Sequence, residues 1–264
     1  LVAIANGTVE AFINPIVATI YSKEKSKWLN ILHAGWPAGL ALGAVVALLL
    51  GDVGLTVKFG VCLVPVVIYA ALIAKRSFPV QERVAAGVSF REMLREVGAL
   101  GFFIIAWLPV MGRVQVANTI LSEPISLSMG VTIGISVIVA IGAYVFTGSL
   151  GNWMFVVILI TMPFLATTEL GTDGWMAALL EADFPKYAGW IFVMVSVIMT
   201  ILRFYAGPIV HKFSSIGLLV LSAALAIVGL IFLGLAPSGI MIVAAIVYAF
   251  GKTFLWSTTL GVVA

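Results

Sequence analysis

The chain of 264 residues is 62% hydrophobic and only 9% charged, which excludes an ordinary soluble globule and reads as an all-α polytopic membrane protein. Its net charge of +3 comes from residues grouped in short loops, so it is no footprint of nucleic-acid binding. The one cysteine, Cys62, excludes an intrachain disulfide and reads as a small packing residue in an apolar run. The chain begins without Met inside one apolar run and ends inside another, which reads as an interior segment of a longer protein.

Runs of spanning length fall near 1–21, 29–50, 54–74, 99–121, 127–147, 152–180, 187–206, 215–235 and 238–264, so nine transmembrane helices are expected. Turn residues connect them at 51–54, 122–124, 148–151 and 237–239. Arg113, Gln115 and Asn118 make 99–121 the least regular span, and this run or 127–147 is alternatively re-entrant. Placing 22–28 in the cytoplasm gathers Lys23, Lys25, Lys27, Lys75, Arg76, Arg83, Arg91, Arg95 and Lys212 on that side. Only Lys58 and Lys186 face the other way, and nine against two sets the orientation. The longest polar segment, 75–98, carries the capping-box pattern Ser89-x-x-Glu92 and reads as a cytoplasmic linker with a short amphipathic helix.

Ionisable groups inside the spans are the candidate functional residues, because an unpaired charge in hydrocarbon costs several kcal/mol. Glu10 is the one such group between Leu1 and Tyr21. It would face a cavity, find a partner, or stay protonated against a neighbouring helix. Asn14 lies one turn further on, and Pro15 removes a backbone donor beside both. The second run opens with Asn30, His33 and Trp36, and Gly35, Gly39 and Gly43 permit close helix approach there. His33 can serve a solute or an interhelical hydrogen bond; Trp36 can pack, or stack on a sugar ring. Glu169 and Asp173 share a helix face beside Trp175, where Gly171 and Gly174 make the backbone breakable. These acids line a cavity or sit hydrated near the outer interface. Lys252, followed by Trp256, would pair with an acid or snorkel. With no metal-spaced His/Cys set, phosphate loop or nucleophile elbow in the sequence, neither an enzyme nor a cofactor is expected.

The pattern Glu10-x-x-x-Asn14-Pro15, a short charged loop, then Leu29-Asn30-x-x-His33 resembles helices four and five of fucose-permease-like sugar:proton symporters. These belong to the major facilitator superfamily. The resemblance, within residues 1–43, implies that Glu10 takes part in proton coupling and that the polar side chains of the second run contact the sugar. His33 stands where that family often has Gln. Asn14, within reach of both a carboxyl and a sugar hydroxyl, would link the two roles. Glu169, Asp173, Trp175, Lys252 and Trp256 complete the expected solute-binding set. A second stretch, Arg203-x-x-x-Gly207-Pro208-x-x-His211-Lys212, resembles the loop between helices eight and nine, with His211 where Asp is expected. By that resemblance Arg203, Gly207, Pro208, His211 and Lys212 gate the cytoplasmic side.

On this resemblance, 1–74 holds helices four to six of the first bundle and 75–98 the linker. Two extra helices follow in 99–151, and 152–264 opens the second bundle with helices seven to ten. The implied function is proton-coupled uptake of a sugar or related small polar solute by a monomer in the lipid bilayer of the bacterial inner membrane, with sodium as the alternative coupling ion. An organic-anion carrier using Lys252, and a non-transporting sensor on the same scaffold, remain open.

Overall fold

The computed structural model describes residues 2–120, 127–235 and 238–264, with side chains described except at 2–5, 109, 111–120, 177 and 238. The side chains of Arg113, Gln115 and Asn118, the turn at 122–124 and Pro237 lie outside the described set. The described secondary structure is entirely helical. In chain order it comprises α1 (Val2–Ile20), α2 (Lys25–His33), α3 (Gly35–Leu50), α4 (Leu55–Val61), α5 (Leu63–Ile73), α6 (Glu82–Ala85), α7 (Phe90–Ile120), α8 (Met129–Thr147) and α9 (Trp153–Ala166). A π-helix (Thr167–Gly171) leads into α10 (Thr172–Glu181). The last five are α11 (Ala188–Phe204), α12 (Ala206–Phe213), α13 (Ser215–Leu235), α14 (Ser238–Lys252) and α15 (Leu255–Val263).

Among the described residues six helices are long and apolar enough to cross a membrane, or seven if α11 and α12, bent by 66°, count as one span. That is the architecture of a polytopic helical membrane protein. The expected count of nine is corrected to this. The run 187–206 is one limb of the bent pair, and the runs 1–21 and 99–121 both include residues outside the described side chains. The breaks have local causes. Pro37 has no N–H to offer the carbonyl of His33, four residues back, and α2 hands over to α3 at Ala34. Phe254, at φ −104° and ψ −1°, separates α14 from α15.

The chain forms two compact units, one of residues 1–81 and 165–264 and one of residues 82–164. In the first, α13 packs along α14, α3 along α11, and α2 against α15. Its core gathers Met176, Leu180, Val195, Met199, Tyr248 and Leu255. The α13–α14 approach depends on Gly251, whose missing Cβ would stand 2.2 Å from the backbone nitrogen of Ala226. Gly229 plays the reciprocal part against Tyr248.

In the second unit, Ser89 and Glu92 cap each other: Ser89 N–H donates to Glu92 Oε2 (2.8 Å) and Glu92 N–H to Ser89 Oγ (3.2 Å). The Ser89 hydroxyl (2.7 Å) and then its backbone N–H, both donating to Glu92 Oε2, hold the carboxyl below its usual range. α7 breaks at Gly98 (φ 54°), where the 148–152 turn crosses it. Ala99 N–H donates to Ser149 O (3.0 Å), and Asn152 N–H to Glu96 O (2.8 Å). A Cβ on Gly98 would meet Gly151 N at 2.0 Å, so both crossing residues must be glycine.

Gly251→Ala should destabilise the protein by about 1–3 kcal/mol, because backbone on both sides cannot yield. Gly234→Ala, on the same helix pair with nothing within 4 Å of its added Cβ, should be close to neutral. Thermal unfolding of the purified variants compares the two, and equal melting temperatures would contradict the close approach.

Candidate functional site

A charge buried in the first unit needs partners that water would otherwise supply, and Arg203 finds three. Its side chain, fully buried in the last turn of α11, donates through Nε to Thr253 O (2.7 Å) and through Nη1 to His33 O (2.8 Å). Nη2 donates to Glu169 Oε1 in the π-helix. The two carbonyls lie where helices end: His33 O is the group Pro37 leaves unpaired, and Thr253 O follows the last residue of α14. Glu169, also buried, extends its second oxygen to the backbone N–H of Trp256 (3.1 Å) in the first turn of α15. A cation thus sits at two helix C-termini and an anion at a helix N-terminus, the arrangement the helix dipoles favour.

A second ion pair joins Asp173 to Lys252, whose ammonium is fully buried. Lys252 also stands 5.4 Å from the centre of the Tyr248 ring, one turn earlier on α14. The Tyr248 hydroxyl donates to Thr168 O and lies 3.0 Å from Thr172 Oγ1. Thr172 Oγ1 in turn reaches Thr168 O (2.9 Å). Both hydroxyls thus meet on Thr168 O, a carbonyl of the π turn. Glu169, Arg203 and Lys252 each lie near the middle of a candidate span or of the bent pair.

Around this cluster the polar residues of α1 and α2 pair with one another and with α15. Asn30 is buried and fully used: Nδ2 donates to Ser26 O (2.8 Å) and Thr258 Oγ1 (3.1 Å), and Oδ1 accepts from Ser257 (2.6 Å). His33 Nε2 lies 3.1 Å from Asn14 Oδ1. Glu10 is half-buried and accepts from Asn6 Nδ2 (3.3 Å). Trp36 Nε1, Asp173 Oδ2 and Ser196 Oγ are buried without a hydrogen-bond partner. Trp175 is 52% exposed, and Trp256 contributes its backbone N–H.

The stretch 203–212 divides. Arg203 belongs to the buried cluster, whereas Pro208, His211 and Lys212 are exposed beyond the 66° bend. Gly207 is buried with the Lys27 side chain 3.3 Å from where a Cβ would be, and His211 Nε2 meets Glu24 Oε1 at 3.2 Å. Lys212 lies over the Phe213 ring. Sequence reasoning missed Tyr248, Thr253 and Glu24. Tyr248 had a signal, its place four residues before a buried lysine; Thr253 acts through its carbonyl and had none. Among the described residues no group of three or more His, Cys, Asp or Glu could hold a metal ion. No family model, curated protein or solved structure matches this chain.

Arg203→Met should cost about 3–5 kcal/mol by leaving Glu169 buried and unpaired. Adding Glu169→Gln should recover part of that loss, and the double-mutant cycle on melting temperature measures how much. Strict additivity of the two substitutions would rule out the coupling.

Proposed function

We propose that this chain is the core of a secondary active transporter of the major facilitator type, moving a small, neutral, polar solute such as a sugar by alternating access. The observation that carries the reading is the meeting of two buried ion pairs with three spans that carry a local irregularity and a fourth bent by 66° near mid-span. Discontinuous helices with charges at their broken ends are how membrane transporters build solute and ion sites. The buried unpartnered groups, Trp36 Nε1 as donor and Asp173 Oδ2 as acceptor, suit hydroxyls on the solute. A neutral solute is favoured over an organic anion because Arg203 and Lys252 are each already matched by a carboxylate. In this reading the protein lies in a bacterial inner membrane with 22–28 facing the cytoplasm, and works as a monomer without a cofactor.

In this reading a proton is the coupling ion and Glu10 its carrier, linked to the solute through Asn14 and His33. Glu10→Gln, reconstituted in vesicles, should exchange solute across the membrane yet lose accumulation driven by a pH gradient. Retained accumulation in Glu10→Gln, with loss in Asp173→Asn, would move the proton to the second ion pair. Failure of the unmodified full-length protein to move any of a panel of monosaccharides would sink the transport reading itself.

Gly207 is the contact point of the gate, where α12 passes the aliphatic part of Lys27. Gly207→Leu should slow transport turnover by about tenfold or more while solute binding stays within twofold of the original, a gating effect separable from the site. Unchanged turnover in this variant would remove Gly207 from the gate.

A further inference from the structure

The turn between α1 and α2 and the corner between α12 and α13 border an open cavity of about 320 Å³. Lys23, Lys25, Lys27 and His211 line it together with the hydroxyls of Ser22, Ser26 and Ser215, and Glu24 is the one acid among its lining residues. α2 and α13 both begin here, and Ser26 Oγ and Ser215 Oγ are 2.8 Å apart. The side chain of Glu24 makes no capping bond to α2, so the first-turn N–H groups of that helix have no side-chain acceptor from their N-cap.

Glu24 instead spreads its two oxygens over the two cations nearest it. Oε2 accepts from Lys27 Nζ (2.9 Å), and Oε1 lies 3.2 Å from His211 Nε2. That is how two oxygens of a phosphate would engage the same groups. Lys27 is further fixed by the Trp28 ring at 5.3 Å, and Trp28 stacks on Tyr21 at 3.9 Å. Lys23, Lys27 and His211 are among the cations that line the cavity.

We propose that this cavity binds a phosphate group, held by Lys23, Lys27, His211 and the first turn of α2, with Glu24 as the internal carboxylate that the phosphate displaces. The cavity has room for a phosphate with a small organic group attached. Lys25 and Ser215 also open candidate spans, so the site lies at the level where those helices would leave the hydrocarbon. Two sources share this chemistry: the headgroup of an anionic phospholipid and a free phosphate ester.

The test uses the full-length protein. Inorganic phosphate is titrated by calorimetry at constant ionic strength, and retention of phosphatidylglycerol and phosphatidylcholine is read by native mass spectrometry. Saturable phosphate binding should weaken about fivefold or more in Lys27→Gln and in His211→Gln. In Glu24→Gln it should tighten by up to about fivefold, because the competing carboxylate is gone. Retention of phosphatidylglycerol but not phosphatidylcholine, lost in Lys27→Gln, identifies a lipid source; calorimetric binding without lipid retention identifies a soluble one. The side chains of Lys27, Glu24 and His211 are 30%, 38% and 69% exposed, so unchanged melting temperatures certify the variants as folded. Absence of binding by both probes, indifference to Lys27→Gln, or weaker binding in Glu24→Gln would each overturn the proposal and leave Glu24 as the sole occupant.

Discussion

Everything around the buried cluster depends on one guanidinium. Arg203 offers donors in a fixed fork, and the three it uses reach two helix ends and one carboxylate on three different segments. That carboxylate, Glu169, then caps a fourth segment at Trp256. In an apolar surround the charges and the breaks require each other. Interrupted helices without charges would leave backbone groups unpaired, and the charges without interrupted helices would lack acceptors. Well-packed apolar side chains can replace such a pair with little loss of stability, so stability alone is a weak reason to have it.

The two ion pairs are joined through the backbone. Glu169 and Asp173 ride on the π-helix and the first turn of α10, while Lys252 immediately precedes Thr253, whose carbonyl Arg203 holds. A movement that loosens Arg203 from Thr253 therefore reaches Lys252 within one residue. Tyr248 ties the same two segments from the other side, through Thr168 and Thr172. A π turn carries one more residue per turn than its neighbours, so converting it to α geometry would rotate α10 by about 100°. Solute occupancy at the pairs and the register of α10 are linked by these bonds in the transport reading.

Composition made the class of the molecule legible, and the lone charges within apolar runs singled out Glu10, Glu169, Asp173 and Lys252. What hydropathy could not reveal was where helices stop. Pro37 was visible, but the carbonyl it frees belongs to His33, and nothing in the sequence says that Arg203, far along the chain, will take it. The motif that contains Arg203 continues past Tyr205 and so has the look of a single loop; the bend there leaves Arg203 on the buried side and His211 on the exposed one. Asn30 was legible as a polar residue in a span, yet its amide is consumed by Ser26, Ser257 and Thr258. Side-chain identity announces that a polar group needs a partner. Only tertiary packing decides which partner, and backbone partners leave no trace in residue identity.

The two buried pairs hold two positive and two negative charges. A charge carried across the full membrane potential exchanges about 2.3 kcal/mol per 100 mV, but a cluster that cancels internally exchanges almost nothing when it shifts as a body. Rearrangement of these helices is thereby insulated from the electric field. In the transport reading, any net current over a cycle is then the charge of the solute and coupling ion alone.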